Sequence, residues 1–200
     1  MLLHAIMPAS RANGPGLRCV VFVQGCSLNC PGCFNPRSHA SCGSDLAPDA
    51  ILAELLDNCG RHSLDGVTVS GGEPMEQAED LARLLDGLRL ALPNLSVGMF
   101  TGYSETELET GRYFTRHVAD PDRRRALWRT IRGQLDFAVM GRYNRLQPSQ
   151  VPMRSSANQV LRLFSARHTQ MDFAPQSVEI TIAADGLTRT TGFPTLGNPA

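Results

Sequence analysis

Cys26, Cys30 and Cys33 fall in one short run, Gly25-Cys26-Ser27-Leu28-Asn29-Cys30-Pro31-Gly32-Cys33-Phe34-Asn35. A closed zinc or iron–sulfur site takes four ligands. Three thiolates in a tight loop, with no fourth nearby, leave one iron of a 4Fe–4S cluster open. An open iron can bind a small molecule and do chemistry on it. Cys19 sits in an apolar stretch and Cys59 ends an apolar helical pattern, so both read as small core residues. Cys42 follows in a Ser/Gly loop; as a fourth ligand it would make the chain a non-catalytic metal-binding protein. No cysteine follows Cys59, which excludes a second cluster built from a C-terminal cysteine array.

Other polar groups gather at equivalent points of the chain. Gly71-Gly72-Glu73-Pro74 follows a short apolar run, and its glycines let a ligand approach the backbone. Glu73, or the backbone beside it, can accept hydrogen bonds from an ammonium group. Thr101-Gly102-Tyr103 and Gly141-Arg142-Tyr143 end two later runs in the same way. Read without any ligand, each motif is a strand-end turn with a solvated polar residue. Arg154, Ser156 and Asn158 make a polar loop that either caps a turn or fixes a ligand. Arg123-Arg124-Arg125 reads as a solvated helix face.

These motifs need strands beneath them. Residues 17–24 form a near-continuous apolar run of the kind a buried parallel strand requires. Residues 66–70, 95–101, 135–140 and 160–164 predict four more strands. Residues 48–58 predict a helix with Pro48 in its first turn and Gly60 as its cap. Residues 76–92 predict a second, with Leu81, Leu84, Leu85, Leu88 and Leu92 at helical spacing and Pro93 as its stop. Residues 104–133 read as helical, interrupted at Asp120-Pro121-Asp122. Alternating strands and helices imply right-handed crossovers and a parallel sheet, whose ligands bind at the carboxyl ends of the strands. Residues 177–182 and 187–191 flank Ala183-Ala184-Asp185-Gly186, a β-hairpin pattern.

The chain has 200 residues, 42% of them apolar, which is most naturally one domain with a core. Its formal net charge is zero, so no global field favours nucleic acid or an anionic membrane. All 19 basic residues are arginine; the absence of lysine excludes Schiff-base chemistry. No run approaches a membrane span and no signal peptide is apparent, so a cytoplasmic protein with reduced cysteines is expected.

The C-x3-C-x2-C spacing resembles the signature of the radical S-adenosylmethionine (SAM) enzymes. Gly71-Gly72-Glu73-Pro74 resembles the motif that meets the SAM amino group in that family. Phe34 occupies the aromatic position that lies beside the adenine, and Asn35 matches a residue common in the activating enzymes. The similarity extends to the activating proteins of anaerobic ribonucleotide reductase. It rests on the run from Asn13 to Cys26, on Cys30-Pro31-Gly32-Cys33-Phe34-Asn35, on Thr101-Gly102-Tyr103, on Asp136 with Gly141-Arg142-Tyr143, and on Arg154-Ser155-Ser156-Ala157-Asn158-Gln159. It covers roughly residues 4 to 163. That subfamily often has Asp in place of Glu73, and residues 104–134 and the tail exceed a minimal member.

The resemblance implies a partial (β/α)6-type open parallel barrel, with a radical SAM core over residues 1–164 and a C-terminal extension over 165–200 in the same domain. It implies that Cys26, Cys30 and Cys33 hold a 4Fe–4S cluster and that SAM chelates the fourth iron. One electron from a donor such as a flavodoxin or ferredoxin would then cleave SAM to a 5′-deoxyadenosyl radical. That radical would remove a hydrogen atom from a glycine of a glycyl radical enzyme partner. A small molecule or peptide is the alternative substrate, motivated by the longer middle and the added hairpin. Thr101 is expected to bond the SAM ribose or carboxylate. Asp136, Arg154, Ser156 and Asn158 are carried by the same resemblance into the set expected at the cofactor.

Overall fold

The computed structural model describes residues 1–175, 177–182, 186 and 188–193. Its centre is a seven-stranded sheet in the order β3-β1-β2-β4-β5-β6-β7. The four inner strands, β2 (Arg18–Val23), β4 (Gly66–Gly71), β5 (Ser96–Thr101) and β6 (Phe137–Met140), run parallel. Each arises from a short apolar run between turn residues. The crossovers between them hold α1 (Pro48–His62), α2 (Ala78–Ala91), the short α3 (Glu105–Glu109) and α4 (Pro121–Gln134). A mixed α/β chain on a mostly parallel sheet is thus present.

Antiparallel strands flank this parallel centre on both sides. β1 (Leu2–Ser10) pairs with β2, the two-residue β3 (Ser44–Asp45) pairs with β1, and β7 (Val160–Leu163) pairs with β6. The expected fifth strand is therefore present but reversed. Residues 141–159 form a loop without a crossover helix, and only a crossover can return a strand in parallel. β1 was not foreseen; its apolar and polar residues do not alternate cleanly, and its partly exposed pattern is that of a flanking strand.

Successive strand residues point to opposite faces. One face sends Cys19, Val21, Val23, Val67, Val69, Val97, Met99, Ala138 and Met140 into a core completed by Ile51, Leu55, Leu81, Leu84, Leu85, Leu88, Trp128 and Ile131 of the helices. α1 and α2 approach closely at Gly87, where a Cβ would meet the Leu52 side chain. α1 does not stop at Gly60. It continues to His62, and Ser63 takes the left-handed cap conformation. Asp120-Pro121-Asp122 is a helix start: the Asp120 carboxylate caps the Asp122 N–H at 3.0 Å and Pro121 sits in the first turn.

Among the described residues no α-helix packs on the opposite face. There Phe137, Val139, Phe100, Leu161 and Leu163 meet Met153, Phe173 and Phe193. The last two belong to the tail, whose hairpin pairs β8 (Val178–Ile182) with β9 (Thr188–Gly192) as expected. The turn residues 183–185 and Leu187 of that expectation lie outside the described residues. No helix among the described residues is long and apolar enough to cross a membrane.

Candidate active site

The carboxyl ends of β2, β4, β5 and β6 open into one cavity on the helix-free face. Cys26, Cys30 and Cys33 line it, with Gly71, Gly72 and Glu73 after β4, Thr101 and Gly102 after β5, and Gly141 and Tyr143 after β6. Four strand ends thus converge, as the spacing of the motifs predicted.

The cysteine loop is held from several sides. Gly25 N–H donates to Ser38 O at 2.7 Å and Cys26 N–H to His39 O at 3.0 Å. Each sulfur meets backbone N–H groups: Leu28 and Asn29 for Cys26, Tyr143 for Cys30, and Asn35 for Cys33 at 3.4 Å. Burial pushes the Cys26 thiol up to about 11 and raises that of Cys30; the N–H groups oppose the rise. A set of N–H donors aimed at sulfur suits thiolates bound to metal, because a metal deprotonates its thiols outright.

The donor set, three cysteine sulfurs on one cavity with N–H groups aimed at them, fits a 4Fe–4S cluster. Among the described residues no three Cys, His, Asp or Glu side chains converge on one metal-sized point. A cubane needs no such convergence, since each cysteine binds a different iron. Cys42 is exposed and does not line the cavity, and Cys19 is buried in the core.

The two glycines after β4 serve the fold more directly than the sequence suggested. Gly71 has φ 102°, and a Cβ there would lie 2.5 Å from Val23 N. A Cβ on Gly72 would run into Gly25 O and crowd Ser38 O at 3.0 Å. The space beside Gly71 is therefore filled by the end of β2, and that beside Gly72 by the cysteine loop. The backbones are stitched by Gly72 N–H to Val23 O and Glu73 N–H to Gly25 O, both 2.8 Å.

Glu73 is 1% exposed and accepts three hydrogen bonds. Thr101 Oγ1 and Met75 N–H donate to Oε1 at 2.7 and 2.9 Å, and Gly102 N–H donates to Oε2 at 2.7 Å. Burial outweighs these bonds and lifts its pKa to about 7. Glu73 forms no ion pair among the described residues. Thr101 spends its hydroxyl hydrogen on Glu73 and accepts from Tyr103 N–H at 3.2 Å. Pro74 is buried behind the cavity wall.

Phe34 and Asn35 flank the cavity. Phe34 is 41% exposed and packs on Tyr143 with ring centroids 4.8 Å apart. Asn35 precedes a short turn at Pro36–Ser38, and its carbonyl accepts Ser38 N–H and Ser38 Oγ–H at 3.1 and 2.7 Å.

Three further residues expected at the cofactor do not line the cavity. Ser156 is fully buried, and its Oγ accepts the Asn144 N–H at 3.1 Å. Asn158 Nδ2 donates to Arg142 O at 2.8 Å, and Arg154 Nη1 to Gln159 O at 3.1 Å. They brace the Gly141–Asn144 segment, which presents Tyr143 to the cavity. Asp136 is not at this end at all. It precedes β6 at the amino end of the sheet, bound by Arg89 at 2.8 Å, Arg167 at 3.3 Å, Ser165 at 2.6 Å and the Val97 N–H at 2.8 Å.

Sequence reading missed four residues that the fold brings here. Gln159 lines the cavity, donates to Gly141 O at 3.1 Å and accepts from the Ser155 and Ser156 N–H groups. It is the last residue of the motif read at 154–159, and that membership was its available signal. His39 lines the cavity, with its Nε2 buried and lacking a hydrogen-bond partner. Glu76 is 1% exposed and holds Ser27 beside Cys26. Nothing local in the sequence marks His39, Glu76 or Ser27.

Comparison with known proteins agrees with this geometry. Residues 12–162 match the family model described as a 4Fe-4S single cluster domain. The anaerobic ribonucleoside-triphosphate reductase-activating protein of Vibrio cholerae is 32% identical over 172 residues, covering 82% of this chain and 99% of that protein. The protein of the same name from Escherichia coli K12 is 32% identical over 118 residues, 56% of this chain and 75% of the relative. The one from Enterobacteria phage T4 is 26% identical over 161 residues, covering 78% and 90% respectively. The chain belongs to the 4Fe–4S single-cluster domain family, among the radical SAM activating proteins of anaerobic ribonucleotide reductase.

Proposed function

We propose that this chain is a radical SAM activating enzyme that generates a glycyl radical on an anaerobic ribonucleotide reductase partner. The observation that carries the reading is the meeting of three cysteines, each with backbone N–H donors, and the buried Glu73 loop at four strand ends. Cys26, Cys30 and Cys33 would hold the cluster. Gly71, Gly72 and Glu73 would form the wall that receives the cationic end of SAM, with Pro74 stiffening the turn. Thr101 acts by orienting Glu73. Phe34 offers an aromatic face for the adenine. When bound, the cluster and SAM supply one-electron cleavage to a 5′-deoxyadenosyl radical that takes a hydrogen atom from glycine.

The residues of this chain supply position and exclusion of water. Asn35, Arg154, Ser156 and Asn158 act through the loops they brace. We take the sheet as the open partial barrel of the radical SAM fold, with residues 1–164 as its core and 165–200 as an extension of the same domain. A reduced flavodoxin or ferredoxin in the cytoplasm fits the need for a single electron. The test is anaerobic. Protein reconstituted with iron and sulfide, then reduced and given SAM, should form 5′-deoxyadenosine, and Cys26→Ala, Cys30→Ala and Cys33→Ala should abolish it. With a cognate reductase, electron paramagnetic resonance should show a glycyl radical. Cleavage without that radical would move the substrate assignment to a small molecule or peptide.

A further inference from the structure

Glu76 lies in the turn Pro74–Gln77 that continues the Gly71–Glu73 loop, and it is 1% exposed. Its Oε1 accepts two hydrogen bonds from one residue, the Ser27 N–H at 2.5 Å and the Ser27 Oγ–H at 2.6 Å. Ser27 follows Cys26. The next two N–H groups, of Leu28 and Asn29, bond the Cys26 sulfur, and Asn29 turns the chain with φ 45°. Glu76 thus grips the start of the turn that aims N–H groups at the first cysteine.

Among the described residues the Glu76 carboxylate forms no ion pair, although Arg116 is close. The Arg116 N–H donates to the Glu76 carbonyl at 2.9 Å, while its guanidinium reaches away to Gln24 O at 3.1 Å. Beside the larger effect of burial, the charge of Glu73 and then that of Glu76 raise the Cys26 thiol. Cluster potentials are set by net charge, by hydrogen bonds to sulfur and by solvent exposure. A fixed negative charge disfavours adding an electron and lowers the potential; a hydrogen bond that neutralises it has the opposite effect.

We infer that Glu76 is a positioning residue for the cluster, anchoring the Cys26 turn through Ser27 and keeping a buried negative charge beside that ligand so that the reduced cluster is a stronger electron donor. This rests on the cysteines holding a 4Fe–4S cluster. The test is a redox titration of the reconstituted full chain without SAM, followed by the paramagnetic signal of the reduced cluster. Glu76→Gln keeps the shape and an acceptor for Ser27 but removes the charge. At a fixed poise near the midpoint, its ratio of reduced to oxidised cluster should be about tenfold higher than in wild type, or about 59 mV for one electron. Ser27→Ala keeps the charge but removes one donor that neutralises it, and should shift the ratio in the opposite direction.

Shifts of opposite sign, with iron and sulfide content unchanged, are what a purely structural role would not produce. Wild-type midpoints in both variants, or shifts of the same sign, overturn the inference. If Glu76→Gln does not fold, the Ser27→Ala titration decides alone, and a wild-type midpoint there overturns it. A wild-type chain that takes up no cluster would instead remove the reading of the site on which the inference stands.

Discussion

At the amino end of the sheet, Asp136 collects Arg89, Arg167, Ser165 and the Val97 N–H. At the carboxyl end, Glu73 collects one hydroxyl and two N–H groups, and no arginine. Burial alone would raise the Asp136 pKa, but its hydrogen bonds and the Arg89 charge outweigh that and hold the carboxyl below its usual value. Glu73 is more deeply buried and meets no cation, and its pKa is pushed up to about 7. A chain with 19 arginines supplies cations where acids support the fold. Among the described residues none pairs with Glu73, where we propose that a positively charged ligand binds.

The largest stability effect should come from breaking the paired end. Asp136→Ala leaves Arg89, only 19% exposed, without its carboxylate, and frees the tail contacts through Ser165 and Arg167. A loss of about 3 kcal/mol is expected, as for other partly buried pairs stripped of one member. Urea denaturation of the apoprotein measures it. Cluster content per folded molecule should stay at the wild-type level, because the change lies at the far end of the strands. Loss of cluster with an intact fold would break the comparison.

Removing the unpaired acid should instead change how stability depends on pH. Glu73 carries a folded-state pKa of about 7 against 4.5 unperturbed. Between those values the folded chain keeps a proton that the unfolded chain has released. Apoprotein stability should therefore fall as pH rises from 4.5 to 7, by about 3 kcal/mol at ~1.4 kcal/mol per unit, and then level off. Glu73→Gln should flatten that slope in denaturation curves taken across the window. An unchanged slope would mean that another group carries it. Thr101→Ala removes a bond that favours the ionised form, so the upper edge of the window should move higher and stability at pH 8 should drop by about 1 kcal/mol.

Much of this arrangement was legible in the chain. The parallel strands announce themselves as apolar runs, and each carries its motif directly after its last apolar residue, so their meeting at one end follows from topology. α2 was legible because Leu81, Leu84, Leu85 and Leu88 repeat at helical spacing and all four are buried. The amino end was less legible. Asp136 belongs to a matching segment, but it stands at the start of the strand expected over 135–140 while Gly141 follows its end, so the resemblance placed it at the cofactor and its strand position placed it at the opposite end. Gly71 and Gly72 were read as room for a ligand; they line the cavity, and behind them the end of β2 and the cysteine loop also leave no space for a Cβ. Glu76 and Ser27 are 49 residues apart, so their bond exists only once β2 and β4 lie side by side.

The smallest effect tests an ion pair beside the site but outside it. Arg142 makes a two-pronged contact to Glu107, with both bonds 2.8 Å, and its guanidinium lies 5.4 Å from the Tyr103 ring centre. The Arg142 hydrogen bonds hold the Glu107 carboxyl down at about 2. Its contribution to stability is therefore present above the usual carboxylate range and is lost as pH falls toward 2. Arg142 is 45% exposed, so solvent screens the pair and Arg142→Ala should cost about 0.5–1 kcal/mol at neutral pH, fading in acid. Asn158 bonds the Arg142 carbonyl rather than its side chain, so the segment carrying Tyr143 should keep its path in this variant. Iron content and the cluster's paramagnetic signal should then match wild type. If both change, the paired and unpaired regions are not separated as their charges suggest, and this arginine joins the site.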